Sequence, residues 1–291
     1  MKSSFVERLT SKKKRLNQLK DKVIAYYSSL PQTDLPDDQK TIISFLREND
    51  ISIFPYPFPA KYHASDIELH KDDKLNLHYM LWEGKKLYYK SGNRPKKAQE
   101  YFNSLRLEQD IRSPHRYLTR DFDVAENDVV VDVGAAEGNF SLSVIEKAGY
   151  VYLFETDKKW IKALNATFAP WSNKVKIIQK YVAEETADDK IALDDFFDDQ
   201  RTINFIKADV EGAEALVLKG AANSIARQHN LKIAVCTYHR QEDAALLDEV
   251  LKTMGFHNTF SDGYMLYYYG RSNVVKEPFL RKAILRGVKV S

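Results

Sequence analysis

The sequence predicts an α/β fold: a mostly parallel sheet with helices on both faces and an antiparallel strand near the C-terminal end, preceded by an α+β N-terminal region. Three observations carry this. From about Ser113 onward, apolar runs alternate with amphipathic stretches. The run Val129 to Val133 ends in a glycine-bearing turn. Residues 1–112 have a different texture, rich in aromatic side chains, with helical patterns at either end and a hairpin between them. Alternating strand and helix patterns close into an open parallel sheet, because each crossover lays a helix over the strands it joins.

Residues 1–30 hold eight Lys/Arg and two Asp/Glu, yet Phe5, Leu9, Leu16, Leu19, Val23, Tyr26 and Leu30 recur at spacings of three and four, interrupted by Lys12. This is a basic amphipathic helix. Its stripe suits packing on the body with the lysines in water, and next to that the pairing of two copies into a homo-oligomer. Pro31 and Pro36 end it, and Asp37 to Arg47 reads as a second helix. The stretch Ile51 to Ala60 has too many prolines for regular helix. Alternation in Leu75 to Trp82 and Lys86 to Lys90 across Gly84 predicts a β-hairpin, and Pro95 to Leu107 is again helical.

In the second region strands are expected at Val129 to Val133, Tyr150 to Phe154, Val175 to Tyr181, Ile203 to Ala208 and Leu231 to Thr237. Helices are expected at Asn139 to Lys147, Lys158 to Thr167, Ala213 to Arg227 and Asp243 to Met254. Thr259-Phe260 and Tyr264 to Tyr269, around Ser261-Asp262-Gly263, read as a reversed pair at one edge. The expected division is residues 1–112 as an oligomerising or substrate-covering region and 113–291 as the ligand-binding domain.

With 291 residues, 44% hydrophobic and 29% charged, the chain has an ordinary globular composition. A net charge of +3 is too mild to imply nucleic acid as an obligate partner. No apolar stretch is long enough to span a membrane, and neither a membrane span nor a secretory signal is expected. The single cysteine, Cys236, excludes an intrachain disulfide framework and fits a reducing compartment, so a cytoplasmic protein is expected.

The stretch VVVDVGAAEGNFSL, Val129 to Leu142, carries the chemistry. Gly134 and Gly138 permit a tight turn and close backbone approach to a ligand, and the helix from Asn139 offers free N–H groups. Glu155 closes the next apolar run about twenty residues on, where an acid binds both hydroxyls of a ribose. Dinucleotide enzymes want G-x-G-x-x-G. Here Ala135 and Ala136 stand in the middle and Glu137 would repel a pyrophosphate, which argues against an NAD(P) oxidoreductase. The pattern Asp132-x-Gly134-x-x-x-Gly138 looks instead like the first motif of S-adenosylmethionine-dependent methyltransferases, whose ligand carries an amino acid in place of phosphates.

Ligands of open α/β sheets sit beyond the carboxyl ends of the strands. Asp209-Val-Glu211-Gly-Ala-Glu214 follows the fourth strand there, and Tyr238-His239-Arg240 follows the fifth. A carboxylate-rich turn at a strand end is costly unless a ligand, base or metal uses it, although capping of the next helix accounts for part of it. Glu214, on the first helical turn, is open to a purely structural reading. His239 can take a proton from a substrate hydroxyl, or simply bond a neighbouring loop. Asp209, Glu211 and His239 could also hold a divalent metal, but without a fourth ligand at diagnostic spacing no metal is assigned. Cys236 reads as packing.

Together with Ser113-Pro-His-Arg-Tyr117, YLFETD ending in Asp157, Ile191-Ala-Leu-Asp-Asp-Phe-Phe197 and INFIKADVEGAEALVLKGA, these segments resemble the FkbM family of S-adenosylmethionine-dependent methyltransferases over roughly residues 113–270. The resemblance implies a class I methyltransferase Rossmann-like sheet and O-methylation of a hydroxyl on a sugar, glycan or small metabolite. It places Asp132, Gly134, Glu155 and Asp157 in cofactor positions, with Asp209, Glu211 and His239 near the reaction centre; the loop residues Ala135, Glu137, Gly138 and Asn139 complete the expected cofactor set. Many members carry an acid-histidine pair after the fifth strand where this chain has Tyr238-His239. The competing reading is a non-catalytic scaffold of the same fold that engages a partner through its basic N-terminal helix.

Overall fold

The computed structural model describes residues 2–92, 94–198, 201–268 and 275–289, without the side chains of residues 2–12. The expected N-terminal helices are α1 (Lys2–Ser29) and α2 (Asp37–Glu48). Of the stripe on α1, Phe5 and Leu9 lie outside the described side chains; Val23 is buried with Ile42 and Leu46 of α2, Leu19, Tyr26 and Leu30 are partly buried there, and Tyr27, outside the expected stripe, is buried as well. Asp37 and Asp38 occupy the first turn of α2, where the helix dipole favours negative charge. The proline-rich stretch follows as two short 3₁₀ turns.

The expected hairpin is part of a three-stranded antiparallel sheet, β1 (His70–Asp72), β2 (Leu77–Trp82) and β3 (Lys85–Tyr88). Its turn residues Glu83 and Gly84 have φ of 49° and 78°, the positive pair that matches the twist of a two-residue hairpin. Helix α3 (Pro95–Glu108) begins on a proline, whose missing N–H costs nothing at that position.

The second region contains β4 (Val129–Val133), α4 (Asn139–Val144), β5 (Tyr150–Phe154), α5 (Lys158–Thr167), β6 (Val175–Ile178), β7 (Tyr181–Val182), β8 (Lys190–Ile191), α6 (Leu193–Phe196), β9 (Phe205–Ala208), α7 (Glu214–Lys219), α8 (Ala222–Ala226), β10 (Leu231–Cys236), α9 (Asp243–Thr253), β11 (His257–Phe260), β12 (Met265–Leu266), β13 (Leu280–Arg281) and β14 (Ile284–Lys289). Seven strands form one sheet in the order β11-β14-β10-β9-β4-β5-β6. All its neighbours pair in parallel except β14, which runs antiparallel to both β10 and β11. This is the class I methyltransferase sheet that the sequence leads one to expect. Strand order reverses beside β4, and a crevice opens there at the carboxyl ends of β4 and β9.

Three local expectations are corrected. The reversed edge pair at 259–269 does not form: β11 pairs with β14, and Met265 and Leu266 pair with Leu280 and Arg281; Tyr269 lies outside the described residues. The partner strand is about twenty residues further on, beyond the reach of a local turn signal. The strand expected from Val175 to Tyr181 ends at Ile178, and Tyr181–Val182 pairs with Lys190–Ile191 instead. The helix expected at Ala213 to Arg227 breaks at Gly220, where a Cβ would stand 2.0 Å from the carbonyl oxygen of Ala183.

The sheet buries both faces. On one, Val131, Val133, Tyr152 and Ile206 pack with Val217, Leu218, Ile225 and Leu247 from α7, α8 and α9. On the other, Val130, Val151, Leu153 and Phe205 share a core with Phe140 and Leu164, and this core runs on into Leu77, Leu87, Phe102 and Leu105 of the N-terminal region. The N-terminal strands and α3 are thereby fixed over one face of the sheet. Among the described residues no helix is long and apolar enough to cross a membrane.

Candidate active site

The first loop is built by close approach. Gly134 (φ 74°) turns the chain out of β4, and a Cβ there would lie 2.0 Å from the backbone oxygen of Asp209, so only glycine lets the ends of β4 and β9 meet. Ala136 is held at φ 47°, a strained value for a residue with a Cβ, and its N–H donates to Glu155 Oε2 at 2.8 Å. Glu155 Oε1 accepts the N–H groups of Thr156 (2.6 Å) and Asp157 (2.7 Å). Asp157 in turn caps α5 by accepting the Lys159 N–H at 2.8 Å. One carboxylate thus ties the loops after β4 and β5 together.

A cleft of about 390 Å³ lies between these loops, lined by Gly134, Ala136, Glu155, Asp157, Trp160 and Asp209 among others. Of the expected cofactor residues, Gly134, Glu155, Asp157 and Asp209 therefore share this cleft. Asp132, Ala135, Glu137, Gly138 and Asn139 do not line it. Asp132 is fully buried, accepts Ser141 Oγ–H at 2.7 Å and faces Lys207 Nζ at 3.0 Å. Gly138 (φ 86°) starts α4, with no room for a Cβ against Leu164 and Phe168. Asn139 lines a separate cavity of about 310 Å³. The Glu137 carboxylate is 3% exposed and accepts the Tyr101 hydroxyl. Burial pushes it up to about 7, against the lowering by Tyr101. Glu108, beside it, is pushed up to about 8 by burial and by the Glu137 and Asp209 charges.

The turn after β9 and the end of β10 form the second half. Glu211 and Gly212 have φ of 56° and 94°, which folds the carboxylates of Asp209, Glu211 and Glu214 back over the strand ends. His239 is almost wholly buried among them, with Nδ1 2.9 Å from Glu214 Oε1 and Nε2 3.5 Å from Asp209 Oδ1 and 4.0 Å from Glu211 Oε2. Burial lowers the His239 pKa, but the Glu214 contact and the Asp209 charge outweigh it and leave it raised. Asp209 also experiences a raising by burial, overcome by His239, Lys207 and His115 and by the Tyr117 hydroxyl, which donates to Oδ2 at 2.8 Å; its carboxyl falls to about 2. Behind this cluster, burial pushes His115 down to about 4, and its Nε2 stands 3.1 Å from the Tyr238 hydroxyl. Asp209, Glu211 and His239 are therefore brought together as expected. Tyr117, Lys207 and Glu214 were not among the expected site residues. Lys207, a lysine inside the apolar run FIKA, was the one readable signal for a buried counter-charge.

The comparisons with known proteins bear on this geometry. Residues 70–264 match the family described as the methyltransferase FkbM domain. The chain belongs to the FkbM methyltransferase family. The family match reaches back to His70, so that β1, β2, β3 and α3 fall within the matched range. No curated protein matches the chain. Among solved structures it is similar to a methyltransferase FkbM from Methylobacillus flagellatus KT, at 20% identity and TM-score 0.46, covering 66% of this chain and 53% of that one. The chain thus spans about half the length of that relative. A precorrin-6y C5,15-methyltransferase from Geobacter metallireducens GS-15 aligns at 13% identity and TM-score 0.40 over 57% of this chain and 83% of that one. SMU.1697c, a putative methyltransferase from Streptococcus mutans in complex with SAH, aligns at 14% identity and TM-score 0.37 over 68% of this chain and 99% of that one.

Proposed function

We propose that the chain is an S-adenosylmethionine-dependent O-methyltransferase acting on a hydroxyl of a sugar, glycan or small metabolite. The observation that carries this is the arrangement of two acidic half-sites on successive strand ends, the Glu155 half and the Asp209–His239 half, with Gly134 held against Asp209 between them. The cleft suits the cofactor by its donor set. Glu155 keeps acceptor capacity beyond its three N–H bonds for ribose hydroxyls. Lys180 is the single basic residue among the lining residues, so a pyrophosphate would lack counter-charge.

When bound, the cofactor supplies an electrophilic methyl group on a sulfonium. The residues of the chain have two tasks, to align the acceptor oxygen and to take its proton. Asp209, ionised at any physiological pH, Glu211 and His239 together form the proton-accepting cluster, and Glu214 lies against the ring. The aromatic N-terminal region, packed over the sheet, shapes the acceptor side. The same reading places the protein in the cytoplasm, in keeping with its single buried thiol.

Calorimetric titration with S-adenosylhomocysteine tests the reading. Binding is expected, with Glu155→Ala weakening it at least about tenfold, because the loops after β4 and β5 lose their common anchor. Absence of binding at millimolar ligand would refute the proposal.

A further inference from the structure

We propose that Asp209, Glu214 and His239 form a binding site for one divalent transition-metal cation of the Mn²⁺, Fe²⁺ or Zn²⁺ class. The three side chains offer one ligand atom each within 4.8 Å of one another, a spread that side-chain movements of about 1 Å would draw onto an ion with bonds of roughly 2 Å. Each carboxylate has one oxygen engaged by the protein and one left for an ion. Glu214 Oε1 accepts the Val210 N–H at 3.0 Å, while its Oε2, on a side chain 1% exposed, has no hydrogen-bond partner among the described residues. Asp209 Oδ2 accepts the Tyr117 hydroxyl, while Oδ1 faces His239 Nε2 at 3.5 Å, long for a hydrogen bond.

Charge balance points the same way. Three carboxylates, Asp209, Glu211 and Glu214, converge on one imidazole, while Lys207 is turned to Asp132 and the Gly134 carbonyl and Arg281 to the carbonyls of Tyr238 and His239. An imidazolium alone leaves two negative charges, one of them on buried oxygens, which is costly; a dication beside a neutral imidazole leaves one, on the exposed Glu211. Two oxygens and one imidazole nitrogen favour borderline metals over the all-oxygen sets of magnesium or calcium. Tyr117 and the Val210 N–H supply the outer hydrogen bonds that hold ligating carboxylates in place. The neighbouring group of His115, Asp209 and Cys236 fits less well, since burial keeps the thiol protonated.

The site deepens the methyltransferase reading, on which its chemistry rests. An acceptor hydroxyl bound at an open position of the cation would lose its proton to Glu211, whose side chain is 84% exposed with Oε2 4.0 Å from His239 Nε2. The oxygen then forms its bond to the methyl carbon as the carbon–sulfur bond breaks, and the electron pair stays on sulfur.

The test is binding to protein stripped with a chelator, by paramagnetic resonance of free Mn²⁺ and by calorimetry with Zn²⁺. One site per chain is expected. Glu214→Gln and Asp209→Asn, both shape-conserving and checked for folding by circular dichroism, should weaken it at least about tenfold. His229→Gln, at an exposed histidine, should leave it unchanged. No binding at millimolar Mn²⁺ or Zn²⁺, or undiminished binding by Glu214→Gln, overturns the proposal. S-adenosylhomocysteine is titrated into the same stripped protein. If it binds while no cation does, the cation site alone falls; if a cation binds and it does not, the methyltransferase reading alone falls.

Discussion

Lys207 and Asp132 are register partners on adjacent central strands, with Nζ 3.0 Å from Oδ1 and side chains 5% and 1% exposed. Lys207 Nζ also donates to the Gly134 carbonyl at 2.7 Å, so a buried ion pair under the sheet ends holds the ligand loop. Burial opposes the ammonium charge, but Asp132 and Asp209 outweigh it and hold the lysine charged.

Removing one partner of this pair should therefore cost far more than removing both. Lys207→Met leaves a buried carboxylate without its cation and should lower unfolding free energy by about 3–5 kcal/mol, whereas Asp132→Leu combined with Lys207→Met should recover most of that loss. Urea unfolding of the unaltered protein and the two variants measures the difference. Equal losses in the single and double variants would show that the pair has no special weight.

Glu137 sets a pH dependence. Its carboxyl is raised from 4.5 to about 7 by burial, so the native state holds this proton more tightly than the unfolded chain does. The raised group favours the fold below pH 4.5 and loses that contribution as pH rises through about 7. Glu137→Gln keeps an acceptor for the Tyr101 hydroxyl and carries no charge. It should be the more stable protein at pH 8, by roughly 3 kcal/mol, with the advantage vanishing toward pH 4.5. Thermal unfolding across that range checks the sign; a constant difference would exclude Glu137 as the titrating group.

Gly134→Ala should act on the site and the fold together. The new Cβ meets the Asp209 carbonyl oxygen at 2.0 Å, on a backbone at φ 74°. Strain of about 1–3 kcal/mol and separation of the two half-sites are expected. S-adenosylhomocysteine affinity should fall with the midpoint of thermal unfolding. Unchanged affinity would place the ligand away from this contact.

Much of the site was legible because its parts are local. A strand ending in glycines, an acid about twenty residues later and DVEGAE before a helix can each be read where they stand. What escaped reading is pairwise and distant. Glu214, read as open to a purely structural role on its helix, lies against the ring of His239, and the two meet only after β9 and β10 pair side by side. Tyr117 reaches Asp209 across 92 positions. Asp132, which reads as a cofactor residue from its motif, is buried against Lys207 on the next strand, a partner 75 positions away that only the sheet brings to it.

The sequence by itself determined the fold class, the order of the five parallel strands from Val129 to Cys236, and the strand ends at which polar residues would gather, because hydrophobic period and glycine placement are properties of a few consecutive residues. Tertiary structure alone decided which strand pairs with β11, which acids face the cleft and which are buried beneath it, and what orients His239. Those outcomes depend on which side chains meet across the sheet, and a buried charge settles on whichever partner that meeting provides.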